Sequence, residues 1–427
     1  MAFNPLIERI RTLNKEIRIF CEDQSIYNYK ISNIPLGGSI KDSIGPWPEY
    51  IVHGIKCHRS EAGFCSPCGY SHDGYSRRKL DNLGIDVENY LYNQLIVLVK
   101  NFRKMVSERQ FCNVQGDRKV YFAFTALGSF FCDEEMNFRS KLKVLKQVQG
   151  LIKKEKTKIC FVTEVHVKDV INYEKSGKLN RLSDILTSLN TVVILGFESI
   201  NDFIRNYLYF KGLAIHDFEY AVNILKKHNI YPAAFVFVGT HTLSQIEIIN
   251  DFEKSVQYLY NLSVIPVVMV ANLKIGTLDH LLFTLSNQKL VEPRTVERVL
   301  CILKRNEKSL FPFPWLIADP VGGPPEPLVH PFNNDKMWTC KDCSYNILAA
   351  LRYLRKTYDW RNYETILSPE VRECTCQDDY EQQVDLESNV SRPIEVRLER
   401  NIKTAEENLH RYFDFLIDFK NKHYEKR

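Results

Sequence analysis

The stretch IKCHRSEAGFCSPCGYSHDGY presents Cys57, Cys65 and Cys68 with seven and then two intervening residues. Thiolates bind zinc and iron-sulfur clusters alike, and spacing alone does not choose between the metals. Three thiolates on a cluster that takes four leave one iron open to a substrate or cofactor, an arrangement suited to chemistry. Structural zinc would instead recruit a fourth ligand nearby, and His58 and His72 flank the loop. Both readings stand on these residues.

A second group joins Cys340 and Cys343 in WTCKDCSYN to Cys374 and Cys376 in RECTCQDD, a CxxC and a CxC thirty residues apart. Four thiolates can close a tetrahedral site, so structural zinc leads and a second iron-sulfur cluster is its rival. Cys21, Cys112, Cys132, Cys160 and Cys301 stand alone and read as buried small residues.

The elements that must position these thiols are read from periodicity. Short apolar runs, EYIVHGI, KVYFAFTAL, KICFVTEVHV, TVVILGF, PAAFVFVG and VIPVVMVAN, alternate with helical patterns near 87–107, 138–152, 181–189, 200–208, 216–228 and 244–261. This alternation predicts an α/β domain around a parallel sheet. Six units suit a partial (β/α)6 TIM-like barrel or an open doubly wound sheet, and both place functional side chains at the carboxyl ends of strands. The first strand runs into the Cys57 loop, which puts the cysteines on that rim.

Residues 1–46 form a polar N-terminal extension with a helical start, NPLIERIRTLNKEIRIF, expected to pack outside the main domain. The barrel occupies 47–309, and 310–380 hold a Pro- and Gly-rich segment and the small four-cysteine module. Residues 381–427 read as an acidic linker, out of QDDYEQQVDLESN, and an amphipathic helix over about 393–425. Leu398, Ile402, Ala405, Leu409, Phe413 and Leu416 share one face of it, favouring docking within the chain over docking on a second subunit. Oligomeric state is not legible in this pattern.

Composition sets the context. The 427 residues are 44% apolar, ample for a core, and no run approaches the ~20 apolar residues of a membrane span. Clustered cysteines without a secreted disulfide pattern point to a reducing, cytoplasmic setting. A net charge of +5 permits an anionic partner without requiring one.

A three-cysteine loop closing CxxCGY after the first strand of such a domain resembles the radical S-adenosylmethionine (SAM) superfamily. The long first gap departs from the usual spacing and is similar to branches such as the elongator catalytic subunit. Further on, FTALGSFFCDEE, FVTEVHV, LGFESINDFIRNYLYFKGL, FVGTHTLSQIEIIND and ANLKIGTLDHLL, with the late cysteine pairs, resemble the archaeosine-forming radical SAM enzymes in order, over roughly residues 50–380. The resemblance implies a partial barrel, a 4Fe-4S cluster on Cys57, Cys65 and Cys68, and SAM cleaved to a 5'-deoxyadenosyl radical that takes hydrogen from a substrate carbon. Gly69 and Tyr70 would lie on the adenine, and Gly128 and Ser129 at the methionine amino group. Glu164 and Glu198 would face the sugar or amino end, and Arg205 would bind the methionine carboxylate. Against these stand plainer roles, a rim carboxylate paired with lysine for Glu164 and an exposed helical position for Arg205.

The turn GTHT departs from the archaeosine pattern near the substrate end, where His241 is a candidate substrate ligand or proton donor. Three functions follow as expectations. The first is radical chemistry on a peptide or small metabolite, of the kind found in natural product biosynthesis. The second is archaeosine-type tRNA modification, with C-N cleavage of a lysine adduct. The third is a non-catalytic zinc-stabilised binding module. Either enzyme would take electrons from a donor such as flavodoxin or ferredoxin.

Overall fold

A computed structural model describes residues 5–26, 39–41, 49–52, 57–68, 112–114, 117–126, 128–155, 159–240, 242–285, 290–307, 316–318, 337–357, 359–367, 369–390 and 392–423, with Phe332 and scattered positions between 82 and 104. The strands described are β1 (Ser39–Lys41), β2 (Glu49–Val52), β3 (Cys112–Val114), β4 (Asp117–Ala126), β5 (Ile159–Val165), β6 (Val192–Glu198), β7 (Tyr231–Val238), β8 (Ile265–Val270) and β9 (Leu316–Ile317). The helices described up to the barrel's end are α1 (Pro5–Asp23), α2 (His58–Glu61), α3 (Phe138–Glu155), α4 (Val167–Lys175), α5 (Lys178–Ser188), α6 (Ile215–Lys227), α7 (Gln245–Asn261), α8 (Leu278–Leu285) and α9 (Pro293–Arg305). Then come α10 (Lys341–Thr357), α11 (Trp360–Ile366), α12 (Pro369–Arg372), α13 (Cys376–Val390) and α14 (Ile394–His423).

Sheet order settles what periodicity left open. Strands β2, β4, β5, β6, β7, β8 and β9 pair in chain order and all in parallel, without the reversal of a doubly wound sheet. Each crossover therefore winds the same way, and the fold is α/β with a partial parallel barrel. All six expected strands are present. Two antiparallel pieces, β1 and β3, and the short parallel β9 were not foreseen, because two or three residues are too few to show a period.

Alternation sorts the strands into two faces. Cys160, Val162, Val192, Ile194, Ala233, Phe235, Ile265 and Val267 pack together on the inner face. Phe161, Val193, Leu195, Phe197, Ala234, Val236 and Val268 belong to the larger core beneath the helices. The same period carries Glu164 and Glu198 to the inner face at the strand ends, the latter across a register shift at Gly196/Glu198.

Three expectations need correcting. The acidic stretch after Cys376 is helix α13, not a linker: Tyr380 and Val384 are buried one turn apart, and Asp378 and Asp379 sit in its first turn, where the helix dipole favours them. Residues 202–208 are helical, but Ile204–Leu208 take π-type geometry in place of a regular α-helix. Cys301 is exposed, because on α9 its neighbours Val299, Leu300, Ile302 and Leu303 take the buried face.

Helix α14 docks within the chain. Phe413 stacks on Phe20 of α1 at 4.0 Å, and Arg9 grips Glu406 with bonds of 2.8 and 2.7 Å. The buried Tyr412 hydroxyl accepts from the Gly276 amide (3.1 Å) and meets His280 Nδ1 at 2.9 Å. Tyr412→Phe takes this partner from the buried His280 ring and should cost about 1–3 kcal/mol in urea unfolding. Burial also pushes His280 from 6.5 down to about 4. The unfolded chain thus takes up a proton before the folded one, so stability falls by up to about 3 kcal/mol as pH drops through that window. Unfolding of wild type and His280→Asn across this range should show the slope shrinking in the variant.

Candidate metal centre at the strand ends

The Cys57 loop has little structure of its own. Cys57 caps the single turn α2, and the chain then bends through Cys65 and Cys68. Its shape is imposed from outside. On one side the Cys65 amide donates to the Phe210 carbonyl (3.0 Å), the Ser66 amide to Tyr209 (3.3 Å) and the Ser66 hydroxyl to Leu208 (2.6 Å). On the other, Arg18 of α1 donates to the carbonyls of Ser60 (2.5 Å), Phe64 (2.6 Å) and Cys65 (2.7 Å), while Asn14 donates to Gly63 (2.8 Å). The N-terminal extension is therefore one wall of the cysteine loop, not an appendage.

Three side chains here sit on left-handed backbone: Cys65 (φ 61°), Glu198 (φ 67°) and Phe210 (φ 50°). Each costs of order 1–3 kcal/mol, and strain of this kind collects at functional sites. Gly212 (φ 59°) has no such cost, and a Cβ on it would come within 2.8 Å of the Phe64 ring. Phe64 in turn stacks on Phe210 at 5.3 Å and carries the Arg59 guanidinium 4.4 Å above it.

After β4, Gly128 and Ser129 pass directly behind Cys57. A Cβ at Gly128 would lie 2.5 Å from the Glu135 carboxylate and 2.8 Å from Cys57 Cβ. Glu135 is buried and accepts from the Ser129 amide (2.8 Å) and the His58 amide (3.2 Å), and its Oε1 is 2.9 Å from His58 Nδ1. Cys132, foreseen only as a small buried residue, places its sulfur 3.4 Å from the same nitrogen. Hydrogen bonding to Cys132 and then to Glu135 raises His58 to about 10. Ser129 Oγ accepts from the His166 amide (3.1 Å), which ties this turn to the end of β5.

Facing the thiols are two carboxylates and a lysine. Lys211 Nζ lies 2.5 Å from Glu198 Oε1, and the other carboxylate oxygen of Glu198 is buried without a partner among the described residues. Burial pushes Glu164 up to about 7 and raises Glu198, with Lys211 opposing both shifts. Burial works against the charge on Lys211, but Cys65, Glu198 and Cys68 outweigh it and hold the ammonium charged. Burial, then Glu135 and Cys65, pushes the Cys57 thiol well up. A positive ion or a partly neutralised cluster is what such a thiol needs to become a ligand.

The geometry thus gathers Cys57, Cys65, Cys68, Gly128, Ser129, Glu164 and Glu198 at one rim. It does not bring Arg205 into the set as a free clamp. That guanidinium is buried and donates to the carbonyls of Leu213 (2.9 Å), Ser199 (2.9 Å) and Ile200 (3.1 Å) and to Asp202 (2.6 Å). It staples the turn after β6 instead. Gly69, Tyr70, His72 and His241 lie outside the described residues. Lys211, Glu135 and Arg18 were passed over. The first two stood inside stretches already singled out, whereas Arg18 is one polar position in a helix and gave no signal.

The structure brings the second cysteine group together. All four sulfurs of Cys340, Cys343, Cys374 and Cys376 lie within 4.8 Å of one another, with Cys340 and Cys374 3.8 Å apart. Ligands at the zinc-thiolate bond length of about 2.3 Å on a tetrahedron stand about 3.8 Å apart. Arg294 points Nη2 at Cys343 (3.6 Å) and Cys376 (3.7 Å), which suits a thiolate shell. Cys57, His58 and Glu135 form another close donor group within the same 4.8 Å.

No family model matches the chain. The chain is similar to the uncharacterized protein MJ0550 of Methanocaldococcus jannaschii, 21% identical over 387 residues, which is 90% of this chain and 91% of that protein. Among solved structures it is similar to the radical SAM methyltransferase TsrM of Kitasatospora setae. With cobalamin and a 4Fe-4S cluster bound, the TM-score is 0.30 at 9% identity, over 51% of this chain and 34% of that one. With tryptophan and the SAM analogue aza-SAM, it is 0.31 at 10% identity, over 55% and 39%. The chain spans little more than a third of those structures, and likeness at that level carries no weight for function.

No described helix is long and apolar enough to cross a membrane. Lys211→Met would leave the Glu198 carboxylate buried and uncompensated. It should cost about 3–5 kcal/mol near neutral pH, and less at mildly acid pH where the raised carboxyls are protonated, as urea titrations at the two values would show.

Proposed function

We propose that this chain is a radical SAM enzyme whose cluster sits on Cys57, Cys65 and Cys68. The observation that carries the reading is the rim itself: three thiols on an externally braced loop at the carboxyl end of a partial parallel barrel, faced by a half-buried lysine and two carboxylates. The donor set fits a cluster with one open iron, because the loop offers three thiols to a cluster that takes four ligands. When bound, such a cluster with SAM supplies reductive cleavage to a 5'-deoxyadenosyl radical able to take hydrogen from a substrate carbon.

The chain's own residues have complementary tasks in this reading. Lys211 offsets the negative charge gathered by Cys65 and Cys68. Glu198 offers its unpaired oxygen, and Glu164 a carboxyl poised near neutrality, toward the sugar and amino groups of SAM. Gly128 and Ser129 back the amino end, and Gly69 and Tyr70 take the adenine. Inner-face Phe235 and its apolar neighbours keep water from the rim. The substrate is a peptide, a small metabolite or a modified tRNA base, with His241 at its end of the site. Ferredoxin or flavodoxin would supply the electron. The four late cysteines hold structural zinc, because their separation suits one ion with four thiolates better than a cluster that spreads its ligands over several irons.

A second reading is favoured by one observation, the closeness of Cys57, His58 and Glu135, which suits a single zinc ion in a non-catalytic module. One experiment separates them. Protein reconstituted without oxygen should carry iron and sulfide and, with dithionite and SAM, release 5'-deoxyadenosine. Cys65→Ala should reduce that release to background, and Cys343→Ala should lose zinc without losing the cluster. A colourless protein that holds only zinc and never cleaves SAM would leave the binding module. Deuterium transfer from labelled substrate into deoxyadenosine then identifies the carbon attacked.

A further inference from the structure

Helix α1 lies outside the barrel, yet it supplies a buried cation to the cysteine loop. Arg18 is 5% exposed and donates to three loop carbonyls, at Ser60, Phe64 and Cys65, on both sides of the bend that orients the thiols. Shape alone would be served by neutral donors, as Asn14 shows by holding Gly63 beside it. A full guanidinium there is expensive to bury unless negative charge faces it. Burial lowers its proton affinity and the sulfurs of Cys68, Cys65, Cys57 and Cys21 oppose that shift, so the three loop sulfurs lie within electrostatic reach of the guanidinium. Asp279 of α8 is buried beside Ser66, and the charge of Arg18 acts on its carboxyl against the effect of burial.

We propose that Arg18 is a positioning residue for the cluster carried by Cys57, Cys65 and Cys68, which both fixes the loop and raises the cluster's reduction potential through its charge. The inference rests on the radical SAM reading above. Reduction adds a negative charge to the cluster, so a buried cation nearby favours the reduced state and its removal disfavours it. Asp279 works in the opposite sense by partly offsetting Arg18.

The test is an anaerobic redox titration of reconstituted full-length protein, followed by EPR, with iron and sulfide measured on each sample. Arg18→Gln should titrate at a lower potential than wild type, and Arg18→Lys, which keeps the charge, should lie closer to wild type. Asp279→Asn, compared at mildly alkaline pH, should shift the other way. Arg18→Gln with full iron and an unchanged potential would overturn the proposal. Where Arg18→Gln does not retain iron, the Asp279→Asn potential decides, and no upward shift there overturns it. Wild type without iron and sulfide would refute the underlying reading instead, so the two failures are distinguishable.

Discussion

A loop that carries three thiols, with a single helical turn as its only regular structure, cannot hold its shape unaided. Everything around it acts as a brace. Arg18 and Asn14 of α1 take its carbonyls from behind, and the carbonyls of Leu208, Tyr209 and Phe210 take its amides and hydroxyl from the sheet side. Glu135 joins the α2 amide to the turn after β4. The strain at Cys65, Phe210 and Glu198 persists because these contacts over-determine it.

Electrostatics follows from the same crowding. Three thiolates and two inner-face carboxylates would repel one another in a dry rim, and two cations lie beside them, the half-buried Lys211 on the open side and the buried Arg18 behind. The consequence is a set of carboxyls moved toward neutrality by burial and a lysine held charged by its neighbours. This is the pattern expected where titratable groups are arranged for a ligand rather than for stability alone. The brace extends further, since α1 is itself held by α14 through Phe20–Phe413 and Arg9–Glu406. The C-terminal helix thus supports the cysteine loop at one remove.

Much of this was legible before the structure. Strand periods located the six main strands, and the chain order of the sheet followed once they paired. Cysteine spacing pointed to both candidate sites, because thiols in CxxC and CxC patterns have few other uses. What escaped notice depends on long-range contact. Arg18 looks like any polar residue on an amphipathic helix until it meets residues more than forty positions away. Arg205 looked free for a ligand until the turn after β6 folded around it. Helix α13 hid behind its acidic composition, since Cys376, Tyr380 and Val384 carry its buried face among many polar residues.

The central claim is that the first cysteine loop holds a cluster with one iron open to SAM. EPR of the reconstituted, dithionite-reduced protein, recorded before and after SAM is added, tests it most directly. The account predicts an iron-sulfur signal whose shape changes on SAM binding, and that changes equally in protein lacking the second metal site. A protein with no cluster signal, or with a signal indifferent to SAM, would contradict it.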